Sequence, residues 1–172
     1  MAPLMTEMFK TATKAAVQAA NEFMQEYLQQ REKRNNLVII GWPEREQNDA
    51  AQNAKDLQKV ISYCNKLDIP PDSIVTTFRD GAKRNMHSRI IKVVFKENTS
   101  WARNNFLRAA TSIMASDDDF NALQRRPFVR TDMTWKEREL DRALRSEVRE
   151  RRAKGESDLV VRNFEIVSRS EN

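Results

Sequence analysis

The chain has 172 residues and a net charge of +5, and its pI is about 9.5. A hydrophobic fraction of 40% supports one modest core, and no apolar run reaches the roughly 18 residues of a membrane helix. The single cysteine, Cys64, excludes an intrachain disulfide. These features, with no secretory signal at the N-terminus, predict an intracellular protein, and the basic charge favours an anionic partner.

Residues 4–33 are predicted to form an amphipathic helix. Apolar side chains recur there at spacings of three and four, and this stripe includes Met5, Phe9, Phe23 and Tyr27. The stripe gives little support for a stable coiled coil, because it contains alanines and extends over barely three heptads. The stripe has no partner within its own segment. It is therefore predicted to pack on the main domain, on a second copy or on a partner protein, with these four residues as candidate partner contacts.

Residues 34–133 are predicted to form an α+β domain with the element order βαββαβ. This order is that of a ferredoxin-like RNA recognition motif (RRM), a fold that hosts many functions. Short β-branched runs bounded by turn residues indicate the strands, and three- and four-residue apolar spacing indicates the helices. The predicted elements are strands at 37–40, 74–79, 89–96 and 127–133, a helix at 49–67, and a second helix that begins near Asn98-Thr99-Ser100.

Residues 134–172 are predicted to form a basic helix followed by a β-hairpin. Thr134 and Glu137 have the spacing of a capping box, and Gly155 is a natural stop for the helix. Two short apolar runs, at 159–161 and 165–167, then predict the hairpin. The sequence thus predicts three segments, namely an N-terminal helix (1–33), an RRM-like domain (34–133) and this C-terminal helix and hairpin (134–172).

The segment 79–96 contains six basic residues and one acidic residue, so its net charge of +5 equals that of the whole chain. A basic loop that leads into a basic strand suits phosphate contacts, which dominate nucleic-acid affinity. The alternative is an exposed loop kept soluble by its charge.

The third predicted strand lacks the aromatic residues with which an RRM stacks bases. Its alternation places Ile91, Val93 and Phe95 on one face and aliphatic residues with Lys92 on the other. The corresponding positions of the first strand are also aliphatic. Phe128, on the fourth strand, cannot be assigned to a face from the sequence. Stacking of bases on the sheet is therefore not expected.

The sequence gives little support for catalysis, and no cofactor or metal is predicted. His87 is the only histidine, and it lies in a polar loop. No Cys/His cluster has ligand spacing, and the three glycines do not form a phosphate-binding loop. The run of carboxylates at 117–119 is more typical of a solvated turn than of a cation site. We expect no enzyme.

Several motifs resemble the RNA-binding domain in the first-open-reading-frame proteins of LINE-type retrotransposons. The resemblance covers roughly residues 34–167. It is carried by Arg34-Asn35-Asn36-Leu37-Val38-Ile39-Ile40-Gly41 with Pro43-Glu44, by Phe78-Arg79-Asp80-Gly81, by Arg89-Ile90-Ile91-Lys92-Val93-Val94-Phe95, and by the arginine-rich segment 134–152.

The resemblance implies a coiled-coil trimer that coats RNA through its backbone and acts as a nucleic-acid chaperone. For such a ribonucleoprotein component we expect a cytoplasmic rather than a nuclear location. The resemblance also implies binding by the matching basic residues Arg34, Arg79, Arg89, Lys92 and Arg142. Two departures are a much shorter N-terminal helix and a tail that ends soon after one hairpin.

Two functions are therefore expected from the sequence. The first is sequence-tolerant binding of RNA or single-stranded nucleic acid, and its candidate residues are Arg34, Arg79, Lys83, Arg84, Arg89, Lys92, Lys96, Arg130 and Arg142. The alternative is a protein-interaction adaptor that docks a partner through the atypical sheet face or the N-terminal helix.

Overall fold

A computed structural model describes residues 2–83, 87–123 and 125–169, with side chains from residue 7 onward. The contacts divide the chain into two compact units. One unit is Arg31–Asp132, and the other combines Met1–Gln30 with Met133–Asn172. In chain order the helices and strands are α1 (Ala2–Lys33), β1 (Asn36–Ile40), α2 (Asp49–Lys66), β2 (Ile74–Asp80), β3 (Ile90–Phe95), α3 (Ser100–Ala115), β4 (Phe128–Thr131), α4 (Trp135–Ala153), β5 (Leu159–Arg162) and β6 (Glu165–Ser168).

The unit 31–132 is a mixed α+β structure with a four-stranded antiparallel sheet in the order β2–β3–β1–β4. Helices α2 and α3 cover one face of this sheet and enclose the core. The predicted alternation of β3 is confirmed, because Ile91, Val93 and Phe95 are buried while the intervening residues are only half-buried. The rings of Phe95 and Phe106 lie 5.9 Å apart and join the sheet to α3.

The face of the sheet opposite α2 and α3 carries a row of four residues in register. Phe78, Lys92, Val38 and Arg130 come from β2, β3, β1 and β4 respectively. Phe128 pairs with Ile40, so its partly exposed ring also lies on this face. The aromatic side chains therefore occupy the two outer strands, and the inner strands β1 and β3 are aliphatic here apart from polar Asn36 and Lys92.

Side-chain caps begin two of the helices. Asn48 caps α2 by accepting hydrogen bonds from the backbone N–H groups of residues 50 and 51. The capping box predicted for α4 is confirmed, because Thr134 and Glu137 each accept a hydrogen bond from the other's backbone N–H. Helix α3 has no side-chain cap. Thr99 occupies the N-cap position, but its hydroxyl donates to the carbonyl of Lys96 rather than accepting from α3.

The second unit contains most of α1 together with α4 and the antiparallel hairpin of β5 and β6. Its two helices are linked where the Thr134 hydroxyl donates to the Glu26 carboxylate, at 2.5 Å. Gly155 follows α4 with a φ of +108°, a left-handed conformation that suits glycine and ends the helix as predicted. Within the described part of the chain, no helix is long and apolar enough to cross a membrane.

Candidate nucleic-acid interface

Arg79, a predicted phosphate contact, is buried inside the unit 31–132. Its side chain is 1% exposed and forms an ion pair with Asp56, which is 2% exposed. Both carboxylate oxygens accept hydrogen bonds, at 2.7 and 3.1 Å. The remaining N–H groups donate to the carbonyls of Trp42, Pro43 and Arg89, at 2.9 to 3.1 Å. All five guanidinium donors are therefore used inside the unit, which leaves none for the predicted contact with phosphate.

The guanidinium group of Arg89 is likewise paired with carboxylates and is not free to bind a phosphate. It donates to Glu44 at 2.5 Å and to Asp49 at 2.6 Å. The hydrogen bonds from Arg89 lower the pKa of both acids, and the same bonds raise the pKa of Arg89. Arg89 therefore fastens the start of β3 to Glu44 and Asp49, and the predicted contact with phosphate would have to displace these acids.

Three predicted lysines have partners as well. The ammonium group of Lys83 donates to the backbone carbonyls of residues 46 and 47, at 2.7 and 3.0 Å. The ammonium group of Lys92 lies 3.0 Å from the carboxylate of Asp80 and 3.6 Å from that of Asp132. Burial opposes the charge of Lys92, but the two carboxylates outweigh it and raise the pKa of this lysine. Lys96 makes only a long, exposed contact of 3.5 Å with a carboxylate. Lys96 is thus the most accessible of the three.

The remaining predicted binding residues differ in location and exposure. Arg34 is exposed and has no ion-pair partner among the described residues. Arg130 is half-buried on β4, in register with Val38. Arg84 lies outside the described residues. Arg142 belongs to the other unit and is exposed on α4.

The charge of the segment 79–96 is largely neutralised by carboxylates from other parts of the chain. Arg79, Lys83, Arg89, Lys92 and Lys96 all lie within 4 Å of at least one acid, and the acids are Asp56, Glu44, Asp49, Asp80, Asp132 and Asp72. Of these acids only Asp80 lies inside the segment. Among the described residues of this segment, the excess of positive charge in the sequence therefore does not form an open basic surface.

A continuous basic surface does occur on α4. Five arginines at alternating spacings of four and three form this arginine face, and all five are exposed: Arg138, Arg142, Arg145, Arg149 and Arg152. At 100° per residue they fall within an arc of about 80°, and at 1.5 Å per residue they span about 21 Å of the helix axis.

The side-chain contacts of the arginine face are few, and the arginines that make them remain exposed. Arg142 pairs with Glu139, and Arg145 pairs with Asp141 at 2.7 Å, both across one turn of the helix. Arg152 donates to the carbonyl of residue 159. Exposed pairs of this kind contribute little stability, so a polyanion can displace them cheaply.

The guanidinium groups of two arginines of this face, Arg138 and Arg149, have no hydrogen-bond or ion-pair partner among the residues that the structure describes. Of the five, only Arg142 is among the binding residues predicted from the sequence. The signal that was missed is the 4-3-4-3 spacing, which places all five on one side.

The apolar stripe of α1 is exposed, as a docking surface requires. Phe9 is 78% exposed, Phe23 is 73% exposed and Tyr27 is 52% exposed. The side chain of Met5 lies outside the described residues. These exposures are high for large apolar groups that lie on one face of a single helix.

Comparison with protein-family models and with curated proteins finds no match to this chain. Within the described residues there is also no cluster of three or more His, Cys, Asp or Glu side chains that could hold a metal ion.

Proposed function

We propose that this protein binds RNA or single-stranded nucleic acid through backbone phosphates and that the arginine face of α4 is its main contact. The observation that carries the proposal is the run of five exposed arginines over about 21 Å of one helix. A planar guanidinium offers paired donors to a phosphate, and a row of them matches a polyanion. Binding of this kind suits a non-enzymatic component of a ribonucleoprotein, with chaperone-like activity and a cytoplasmic location.

The face of the sheet opposite α2 and α3 supports binding that is tolerant of sequence. An ordinary RRM stacks bases on aromatics of its two inner strands, and β1 and β3 have none on this face. The strand order β2–β3–β1–β4 supports the ferredoxin-like assignment of the unit 31–132. The preference for RNA rests on the resemblance to LINE-type first-open-reading-frame proteins.

Replacing Arg138 and Arg149 by glutamine tests this proposal on the two arginines that have no internal partner. Each phosphate contact to a single strand contributes about 0.7 to the slope of log affinity against log salt concentration. The double variant is expected to reduce that slope by about 1.4. The measurement is fluorescence anisotropy with a labelled single-stranded RNA at several salt concentrations.

The matched control replaces Lys136 and Lys154 by glutamine and removes the same amount of charge. Lys136 lies on the opposite side of α4, and Lys154 directly follows that helix. The control variant is expected to keep the wild-type slope to within about 0.5. An equal loss of slope in both variants would show that net charge, rather than this face, governs binding.

The second candidate function is a protein-interaction adaptor, and the exposed stripe of α1 favours it. A double variant, Phe9→Glu with Phe23→Glu, is expected to abolish the association of any complex that this stripe forms. Multi-angle light scattering of the wild type and of the variant over a range of concentrations measures self-association. A wild type that is monomeric throughout would exclude self-association and leave hetero-association to be tested.

A further inference from the structure

The unit 31–132 contains a cavity of about 380 Å³ between α2 and the loop that joins β1 to α2. The cavity lies on the helical side of the sheet, away from the row of Phe78 and Lys92. Trp42 and Phe120 contribute an aromatic floor, and their rings meet edge to face with centroids 5.2 Å apart. A cavity of this size matches a small ligand with one ring system.

The loop that forms one wall of the cavity is held in place before any ligand arrives. The side-chain oxygen of Gln52 accepts hydrogen bonds from the backbone N–H groups of Arg45 and Glu46, at 2.9 and 2.8 Å. The amide group of Gln52 donates to Asp56 at 2.8 Å, and Asp56 is in turn fixed by Arg79. Such a preformed wall lowers the entropic cost of binding.

Three cations line the cavity, and they differ in how firmly they are held. Lys59 is anchored by Asp117 at 2.9 Å and by Asp119 at 2.5 Å. Arg45 donates to a backbone carbonyl at 3.3 Å and has no carboxylate partner among the described residues. Lys55 pairs with Glu46, and the Lys55 side chain is largely exposed.

Burial opposes the ionisation of Asp117, but hydrogen bonds from Tyr63 and Lys59 outweigh it and hold the pKa of this acid at about 2. Lys59, which Asp117 holds in place from outside the cavity, is therefore a fixed part of the wall. Arg45 and Lys55 are the cations that can turn to a ligand, because an exposed ion pair such as Lys55–Glu46 is weak and is readily exchanged for a doubly charged anion.

We propose that this cavity binds a nucleotide, with the base against Trp42 and Phe120 and the phosphate between Arg45 and Lys55. The site goes beyond the proposed function, because its residues lie in the unit 31–132 and the arginine face belongs to the other unit. A free mononucleotide and the 5′ end of an RNA strand share the required chemistry. Failure of either site leaves the other intact, so the two proposals are tested separately.

The test uses the full chain with Trp101 and Trp135 replaced by phenylalanine, so that Trp42 is the single tryptophan. Both replaced side chains are exposed, so the fold should persist. Titration with adenosine 5′-monophosphate is expected to change the Trp42 fluorescence with saturation, and adenosine without phosphate is expected to bind at least about tenfold more weakly. Absence of a saturable change, or equal binding of adenosine, would overturn the proposal.

Two substitutions on this background should shift the affinity in opposite directions. Lys55→Ala removes a phosphate contact and is expected to weaken binding of the mononucleotide about tenfold. Glu46→Gln removes the competing carboxylate and is expected to strengthen binding by up to about fivefold. The matched control is Lys14→Ala, which removes one exposed lysine from α1 and is expected to leave the affinity unchanged. If the Lys55–Glu46 pair had only a structural role, the two substitutions would not change the affinity for the mononucleotide in opposite directions.

Competition distinguishes the two sources of the nucleotide. Displacement of adenosine 5′-monophosphate by a 5′-phosphorylated oligoadenylate, but not by its 5′-hydroxyl counterpart, is the result expected if the site holds an RNA end. Failure of both oligonucleotides to compete is the result expected for a free mononucleotide. Equal competition by both would contradict phosphate recognition in this cavity.

Discussion

Arg79→Met is expected to lower the free energy of unfolding by about 3–5 kcal/mol, because it breaks a buried ion pair. The substitution leaves Asp56 as a buried carboxylate without its counter-ion. It also removes the donors for the carbonyls of Trp42 and Pro43, which fix the chain after β1. Methionine fills much of the arginine stem volume, so lost packing contributes less than the stranded charge.

Urea denaturation followed by circular dichroism measures this effect. The control is Lys96→Met, at an exposed pair 3.5 Å apart, for which a change below about 0.5 kcal/mol is expected. The double variant Arg79→Met/Asp56→Leu removes both charges and should recover part of the loss. If the Arg79→Met protein had normal stability but reduced RNA affinity, this would instead indicate that Arg79 contacts RNA.

Local features of the fold could be predicted from the sequence. The alternation in β3 and the capping box of Thr134 and Glu137 were predicted correctly. Both features depend only on residues that lie two or three positions apart in the sequence. The predicted bounds of the strands also lie within about two residues of the observed ones. Short-range physics is sufficient for these features.

The charge balance of the surface could not be predicted in this way. Arg79 meets a carboxylate 23 positions away, and Arg89 meets one 45 positions away. A count of charges within a window of sequence cannot include partners that only the folded chain brings near. The glycine and turn residues of the loops signal a bend but not which carboxylate faces which arginine.

These pairings also decide between two possible binding surfaces. A phosphate approaching Arg89 must displace Glu44, whose carboxylate is almost buried and makes several hydrogen bonds with that arginine. A phosphate approaching Arg149 displaces no partner among the described residues, and near Arg145 it competes with one exposed pair. Because the desolvated pair is costlier to break than the exposed one, this difference favours the arginine face as the proposed interface.

Replacing Arg138, Arg142, Arg145 and Arg149 by glutamine is expected to reduce the salt slope of RNA binding by about 2.8. Between 50 and 200 mM salt, the RNA affinity of the variant should therefore fall by a factor about fiftyfold smaller than that of the wild type. Arg152 is retained, because its guanidinium holds the carbonyl that begins β5. Glutamine is a good helix former, so the helical circular dichroism signal should persist.

The matched variant replaces the same four arginines by lysine and thereby separates charge from geometry. Lysine keeps the positive charge but loses the planar, bidentate fork. If RNA is held by its phosphates without reading of bases, the lysine variant should keep the salt slope and lose less than about tenfold in affinity. A lysine variant as weak as the glutamine variant would indicate that guanidinium geometry recognises a specific RNA structure. A glutamine variant with an unchanged slope would remove α4 from the interface.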